Sequence, residues 1–77
     1  MNNGMYFKRE ELFETLQNTN QVYDPSQPLT TVRYIYNSTG AVYEGQMRGG
    51  FRDGRGVMTW QDNAKYDGEW KMGYAFG

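Results

Sequence analysis

Arg48, Arg52 and Arg55 stand among Gly49, Gly50, Gly54 and Gly56 in the stretch RGGFRDGRG. Residues of these types at this spacing support several chemistries. Arginines on a flexible glycine chain bind nucleic acid through its phosphates and stacked bases. Glycine amides ahead of a helix N-terminus cradle a phosphate. An arginine cluster can meet an anionic lipid head group. The fourth reading is the plainest: the glycines are backbone punctuation in β-hairpins.

The rest of the sequence narrows the choice. Asp53 interrupts the positive charge, and the chain as a whole carries a formal charge of -1. No global field would draw in nucleic acid. VMTW, directly after Gly56, is strand-like, so the helix a phosphate cradle needs is not there. Residues 40–77 hold Arg48, Arg52, Arg55, Lys65 and Lys71 against Glu44, Asp53, Asp62, Asp67 and Glu69, a balance that weakens lipid attraction.

Acid–base and metal chemistry have little to work with. The sequence contains no histidine and no cysteine, which removes imidazole bases, thiolate nucleophiles, disulfides and His- or Cys-ligated metals. Glu44, Asp67 and Glu69 fall on solvent-facing alternate positions of strands, not in a cleft where paired carboxylates act. No catalytic, cofactor-binding or metal-binding residue is assigned, and neither a nucleic acid nor a small-molecule substrate is expected. No apolar run approaches the roughly 18 residues of a membrane span, and the first residues lack the apolar centre of a secretory signal.

The elements that position these residues divide near residue 39, into 1–38 and 39–77. Residues 5–17, MYFKREELFETLQ, read as a short helix with Leu12, Phe13 and Leu16 on one face. A helix of about 12 residues is marginal alone, so that face is expected to dock on this chain's sheet or on a partner. YDPSQP is an extended linker. LTTVRYIY is a β-branched, aromatic strand with Val32, Tyr34 and Tyr36 on one face.

Residues 40–77 repeat with an offset of 23: Ala41 matches Ala64, Tyr43 matches Tyr66, Gly45 matches Gly68, Gly50 matches Gly73 and Gly54 matches Gly77. Such a period signals a repeat architecture. Alternation places Ala41, Tyr43, Gly45 and Met47 on one strand face, and Ala64, Tyr66, Gly68 and Trp70 on the equivalent face of the next copy. Gly54, Gly56, Met58 and Trp60 share a face between them. An aromatic strand beside a glycine strand lets each ring lie over a residue without Cβ. RGGFRD is expected to turn the first hairpin and QDN to link it to the next strand.

Tyr43, Gly45, Gly50, Gly54 and Gly56, and again Tyr66, Gly68, Trp70, Gly73 and Gly77, resemble the MORN repeat, whose motif is approximately Y-x-G-x-W-x-x-G-x-x-x-G-x-G. Met47 departs where tryptophan is usual. The resemblance implies a mainly β fold of stacked antiparallel hairpins, here preceded by a short helix. It implies the N-terminal portion of a longer array, with about one and a half repeats. It also implies a non-enzymatic scaffold or protein–protein interaction module in a large cytoplasmic assembly, cytoskeletal or in the ciliary axoneme. The family supplies two alternatives: a peripheral phosphoinositide-binding module using Arg48, Arg52 and Arg55, or the regulatory front end of an enzyme. Leu12, Phe13 and Leu16 are then the expected partner-docking face, and Tyr43, Trp60, Tyr66 and Trp70 the aromatic packing row.

Overall fold

The computed structural model describes residues 9–76. One helix, α1 (Arg9–Asn18), is followed by five strands: β1 (Leu29–Ile35), β2 (Val42–Arg48), β3 (Phe51–Thr59), β4 (Lys65–Lys71) and β5 (Tyr74–Ala75). The helix expected over 5–17 is present from Arg9; residues 5–8, with Phe7 and Lys8, lie outside the described residues, as does Gly77.

The strands form a single antiparallel sheet in chain order, β1-β2-β3-β4-β5. Each connection is short, so each strand pairs with the next in sequence. Alternation sets the faces as expected. Tyr36, Ala41, Tyr43, Met47, Met58, Trp60 and Trp70 form the core, with Val32, Tyr34, Ala64, Tyr66 and Ala75 packed against it. Arg33, Glu44, Lys65, Asp67 and Glu69 occupy the opposite, exposed face.

The first hairpin turns more tightly than RGGFRD suggests. Only Gly49 and Gly50 lie outside the strands, at φ 58° and 91°, and Phe51 already begins β3. Two consecutive left-handed residues make the turn that matches strand twist. Its repeat, between β4 and β5, uses Met72 and Gly73 at φ 51° and 93°. Pairing runs Gly45↔Gly56 and then Met47↔Arg52, so a bulge at Asp53–Arg55 faces the single residue Gln46. The Arg55 amide donates to Gln46 Oε1 at 2.9 Å, which satisfies the backbone the bulge unpairs.

Gly56 shows why the repeat needs its glycine. A Cβ built there would lie 2.2 Å from Tyr43 Oη and 2.4 Å from Tyr43 Cζ. The Tyr43 ring occupies that space, is fully buried, and its hydroxyl donates to the Gln46 carbonyl at 2.6 Å. Tyr66 repeats the bond one period later, to the Glu69 carbonyl at 3.1 Å. Trp70 stands edge-on to both rings, at 5.5 Å from Tyr43 and 5.2 Å from Tyr66. Its indole N–H donates to the Gly56 carbonyl at 3.1 Å. The aromatic row therefore fills the core and satisfies its own polar ends.

Helix α1 docks differently from expectation. Its buried residues are Glu11 and Thr15, whereas Phe13 is 60% exposed. Leu12 and Leu16 are half-buried. The helix meets the sheet with polar groups because the sheet offers polar groups at that place. It ends with Gln21 N donating to Leu16 O at 2.7 Å, and with Asn20 and Gln21 at φ 55° and 61°. That six-to-one bond is a Schellman-type stop built without glycine.

Candidate functional site

The aromatic face is the surface of this chain most able to do chemical work, and its centre is polar. Arg52 belongs to the same alternation as Gly54, Gly56, Met58 and Trp60, so β3 turns its side chain inward. It is 2% exposed. Arg52 NH2 donates to the Gly73 carbonyl at 2.6 Å, and its guanidinium lies 5.1 Å from the Tyr36 ring centre and 4.8 Å from that of Trp70. Gly73 N in turn donates to the Arg52 carbonyl at 2.8 Å. Arg52 thus ties the second repeat's turn to the first repeat's strand and rests its cation on two ring faces.

Opposite Arg52 lies Glu11, 1% exposed, with Oε1 at 3.7 Å from Arg52 NH1. Glu11 Oε2 accepts from Trp60 Nε1 at 2.8 Å and from Thr39 Oγ1 at 2.5 Å. Tyr36 and Thr15 complete the cluster. Thr15 and Tyr36 face one another, and Glu11 Oε1 and Arg52 Nε are buried with no hydrogen-bond partner among the described residues. Burial pushes the Arg52 pKa below its ordinary value, while Tyr36, Glu11 and Tyr43 act in the other direction. Burial raises the Tyr36 and Tyr43 hydroxyls.

A second acidic residue of α1 fixes the neighbouring turn. Glu14 Oε2 accepts from Tyr34 Oη at 2.7 Å and from Asn37 N at 3.1 Å, and Oε1 accepts from Ser38 N at 3.0 Å. Burial works to raise its pKa, but the bonds from Tyr34, Ser38 and Asn37 outweigh it and hold the carboxyl below its usual range.

The three arginines of the opening stretch do not form a common surface. Arg52 is interior, which removes it from the set of lipid-facing or solvated arginines. Arg48 reaches back to the linker: Nε pairs with Asp53 Oδ2 at 3.1 Å and NH1 donates to the Gln27 carbonyl at 2.8 Å. Tyr23 donates to the same Asp53 oxygen and stands edge-on to Phe51, with ring centres 5.3 Å apart. Arg55 is in solvent, 3.3 Å from Asp67. Sequence spacing grouped them because it could not see the strand beginning at Phe51, which turns Arg52 toward the core while Arg55 stays exposed.

Leu12 and Leu16, read as a docking face with Phe13, line a groove with Tyr23, Phe51, Met72 and Tyr74. Phe13 points elsewhere, beside Glu10, Glu14 and Gln17. The groove continues into the last hairpin, where Met72, Tyr74 and Phe76 are 43%, 49% and 62% exposed. Glu11 and Thr15 are the site residues that sequence reasoning missed. Their i,i+4 spacing puts them on one helix face, and nothing in a lone Glu/Thr pair distinguishes it from a solvated face.

Among the described residues, no group of three or more carboxylates could hold a metal ion, and no helix is long and apolar enough to cross a membrane. No curated protein and no solved structure gives a significant match to the chain. A family model for the MORN repeat matches residues 43–65 and 66–77. The first match spans β2, β3 and the turn into β4; the second starts at Tyr66, the counterpart of Tyr43. Together with the tyrosine-over-glycine packing, the repeated hydroxyl-to-carbonyl bond and the paired left-handed turns, this shows that residues 43–77 carry about one and a half MORN repeats.

Proposed function

We propose that this chain is a non-enzymatic scaffold or protein–protein interaction module in a large cytoplasmic assembly, of the cytoskeletal or ciliary axonemal kind. MORN repeats are a non-catalytic family whose role is protein or membrane interaction. The observation that carries the protein-binding reading is the exposed apolar run Met72, Tyr74 and Phe76, continuous with the groove of Leu12, Leu16 and Phe51. Apolar and aromatic side chains gathered on one accessible surface favour a protein contact.

The membrane reading draws less support. Arg52 is interior, Arg48 is engaged by Asp53 and the Gln27 carbonyl, and Arg55 faces Asp67. A head group would have to break these pairings to recruit the cluster.

The test is extraction of the native protein with mild detergent at moderate salt, followed by mass spectrometry. Retention in the insoluble cytoskeletal or axonemal fraction supports the scaffold reading, and a Met72→Glu/Phe76→Glu variant should then be released. Release of the unaltered protein with membrane proteins would overturn it. Trp70→Ala is a poor probe, because Trp70 is core and its loss reports folding before binding.

A further inference from the structure

Three donors on the sheet converge on one carboxylate. Trp60 Nε1 and Thr39 Oγ1 donate to Glu11 Oε2, and the Arg52 guanidinium stands 3.7 Å from Oε1. Trp60 follows β3, Arg52 is near its start, and Thr39 lies in the β1–β2 turn. The donors thus belong to the sheet, and the helix supplies only the acid. We infer that this is a carboxylate-reading site, that α1 is its intramolecular occupant, and that its partner is an acidic helical segment of another protein, which displaces α1 by setting its own carboxylate against Arg52, Trp60 and Thr39. The inference rests on the interaction-module reading and names that module's partner chemistry.

Two observations say that α1 is a replaceable ligand. The first is an incomplete fit. With α1 in place, Arg52 Nε on the sheet side still has no hydrogen-bond partner, and neither does Glu11 Oε1. A guanidinium binds a carboxylate best through two parallel N–H bonds. Glu11, at 3.7 Å from NH1, sits too far away to make them, and Arg52 Nε is left for a carboxylate that approaches more closely. The second is the attachment. Over its described residues, 9–18, α1 buries Glu11 and Thr15, while Phe13 remains 60% exposed. Its fully buried contact with the sheet is thus polar, made through Glu11 to Trp60, Thr39 and Arg52.

The connection permits the exchange. Tyr23 is held by Asp53, and Arg48 holds the Gln27 carbonyl, so the linker stays on the sheet. Between it and α1 lie Asn20 and Gln21, two non-glycine residues in the left-handed region. Leaving that region relieves local strain, which makes these two residues the natural hinge. α1 would swing away about them while the strand order stayed intact.

The experiment uses the full chain and a fluorescein-labelled peptide of residues 9–18, REELFETLQN, together with its Glu11→Gln analogue. The wild-type chain competes with the peptide through its own α1, so its apparent affinity is reduced by the fraction of time α1 is docked. The Glu11→Gln chain is expected to bind the acidic peptide at least about ten-fold more tightly than wild type. It should bind the Gln analogue at least about ten-fold more weakly than the acidic peptide, the loss of a charge-assisted bond. No gain in the Glu11→Gln chain, or equal binding of the two peptides, overturns the inference.

Should Glu11→Gln fail to fold, native-state hydrogen exchange on the wild-type chain decides. Amides of Thr15–Asn18 that exchange at least about ten-fold faster than those of Tyr43 and Met58 report sub-global opening of α1 and support exchange. Equal protection would make α1 a fixed cap of the array and overturn it. Crosslinks in cells that reach the sheet through other residues, with no peptide binding, would remove this inference and leave the interaction module standing.

Discussion

Arg52 and Glu11 face one another at 3.7 Å inside a protein of 77 residues, each no more than 2% exposed. The separation is long for an ion pair. Both charges are nonetheless held by other groups: Arg52 by the Gly73 carbonyl and two ring faces, Glu11 by Trp60 and Thr39. The pair is one polar knot joining helix, first repeat and second turn.

Arg52→Met is therefore expected to cost about 3–5 kcal/mol, because it leaves the Glu11 carboxylate buried without its cation. The double variant Glu11→Leu/Arg52→Met should be clearly more stable than Arg52→Met alone, since it removes both charges and leaves apolar groups of similar volume. Urea unfolding of the wild type, the two single variants and the double variant closes the cycle. Additive losses would mean that the two side chains act independently.

Gly56→Ala should be among the most damaging small substitutions in the sheet. Its Cβ would lie 2.2 Å from Tyr43 Oη and 2.4 Å from the ring carbon Cζ, and Tyr43 has no exposed direction in which to retreat. A cost of about 1–3 kcal/mol is expected, or a Tm lower by about 4–8 °C for each kcal/mol. Tyr43→Phe should not rescue it, because Cζ remains in contact. Gly68→Ala should cost less: the Cβ would meet Tyr66 at 2.7 Å, and that ring is only half-buried. Thermal unfolding of the three variants tests the ranking.

The repeat was legible because glycine and tyrosine carry unusual information at fixed spacing. Tyr43/Gly45 and Tyr66/Gly68 recur at an offset of 23; the Tyr43 ring lies over Gly56, the Tyr66 ring over Gly68, and a Cβ on Gly45 would meet the Gly56 backbone. Strand faces followed from alternation alone. The polar knot was not legible, for two physical reasons. Gly49-Gly50 is itself a complete two-residue turn, and treating RGGFRD as the turn hid that Arg52 sits on the inward alternation with Gly54 and Gly56. Glu11 was hidden because burial of a carboxylate depends on donors from residues 39, 52 and 60, far away in sequence. Leu12, Phe13 and Leu16 drew the eye for the converse reason: apolar side chains on a helix announce a buried face, yet here they flank the groove or point outward.

The two hairpin turns offer a matched pair of predictions. Met72 sits at φ 51° where Gly49 occupies the equivalent place in the first repeat. A left-handed backbone costs an ordinary L-residue about 1–2 kcal/mol. Met72 is exposed enough to lose its side chain without opening the core. Met72→Gly is therefore expected to stabilise the chain by about 0.5–1 kcal/mol, the relief of strain less glycine's extra unfolded-state entropy. Gly73→Ala should do the reverse, since it adds a Cβ at φ 93° and places it 3.2 Å from Leu12 Cδ1. Chemical denaturation with an unchanged m-value would assign both effects to the folded turn.

Glu14 gives the acid side of the stability profile. Its folded pKa lies below the ordinary 4.5: burial opposes ionisation, but bonds from Tyr34, Ser38 and Asn37 favour the carboxylate more strongly. A group whose folded pKa is depressed contributes stability that is present above its unfolded value and lost as pH falls through its folded value. The contact between α1 and the β1–β2 turn should therefore hold at pH 7 and weaken below pH 4.5. Carboxyl NMR titration should show Glu14 with a midpoint below the ordinary 4.5. Over the same interval the Asn37 and Ser38 amides should lose protection. Glu14→Gln removes the charge and should flatten this part of the pH profile while leaving the sheet intact. A Glu14 midpoint at or above 4.5 would mean that desolvation, not the three bonds, governs the carboxyl.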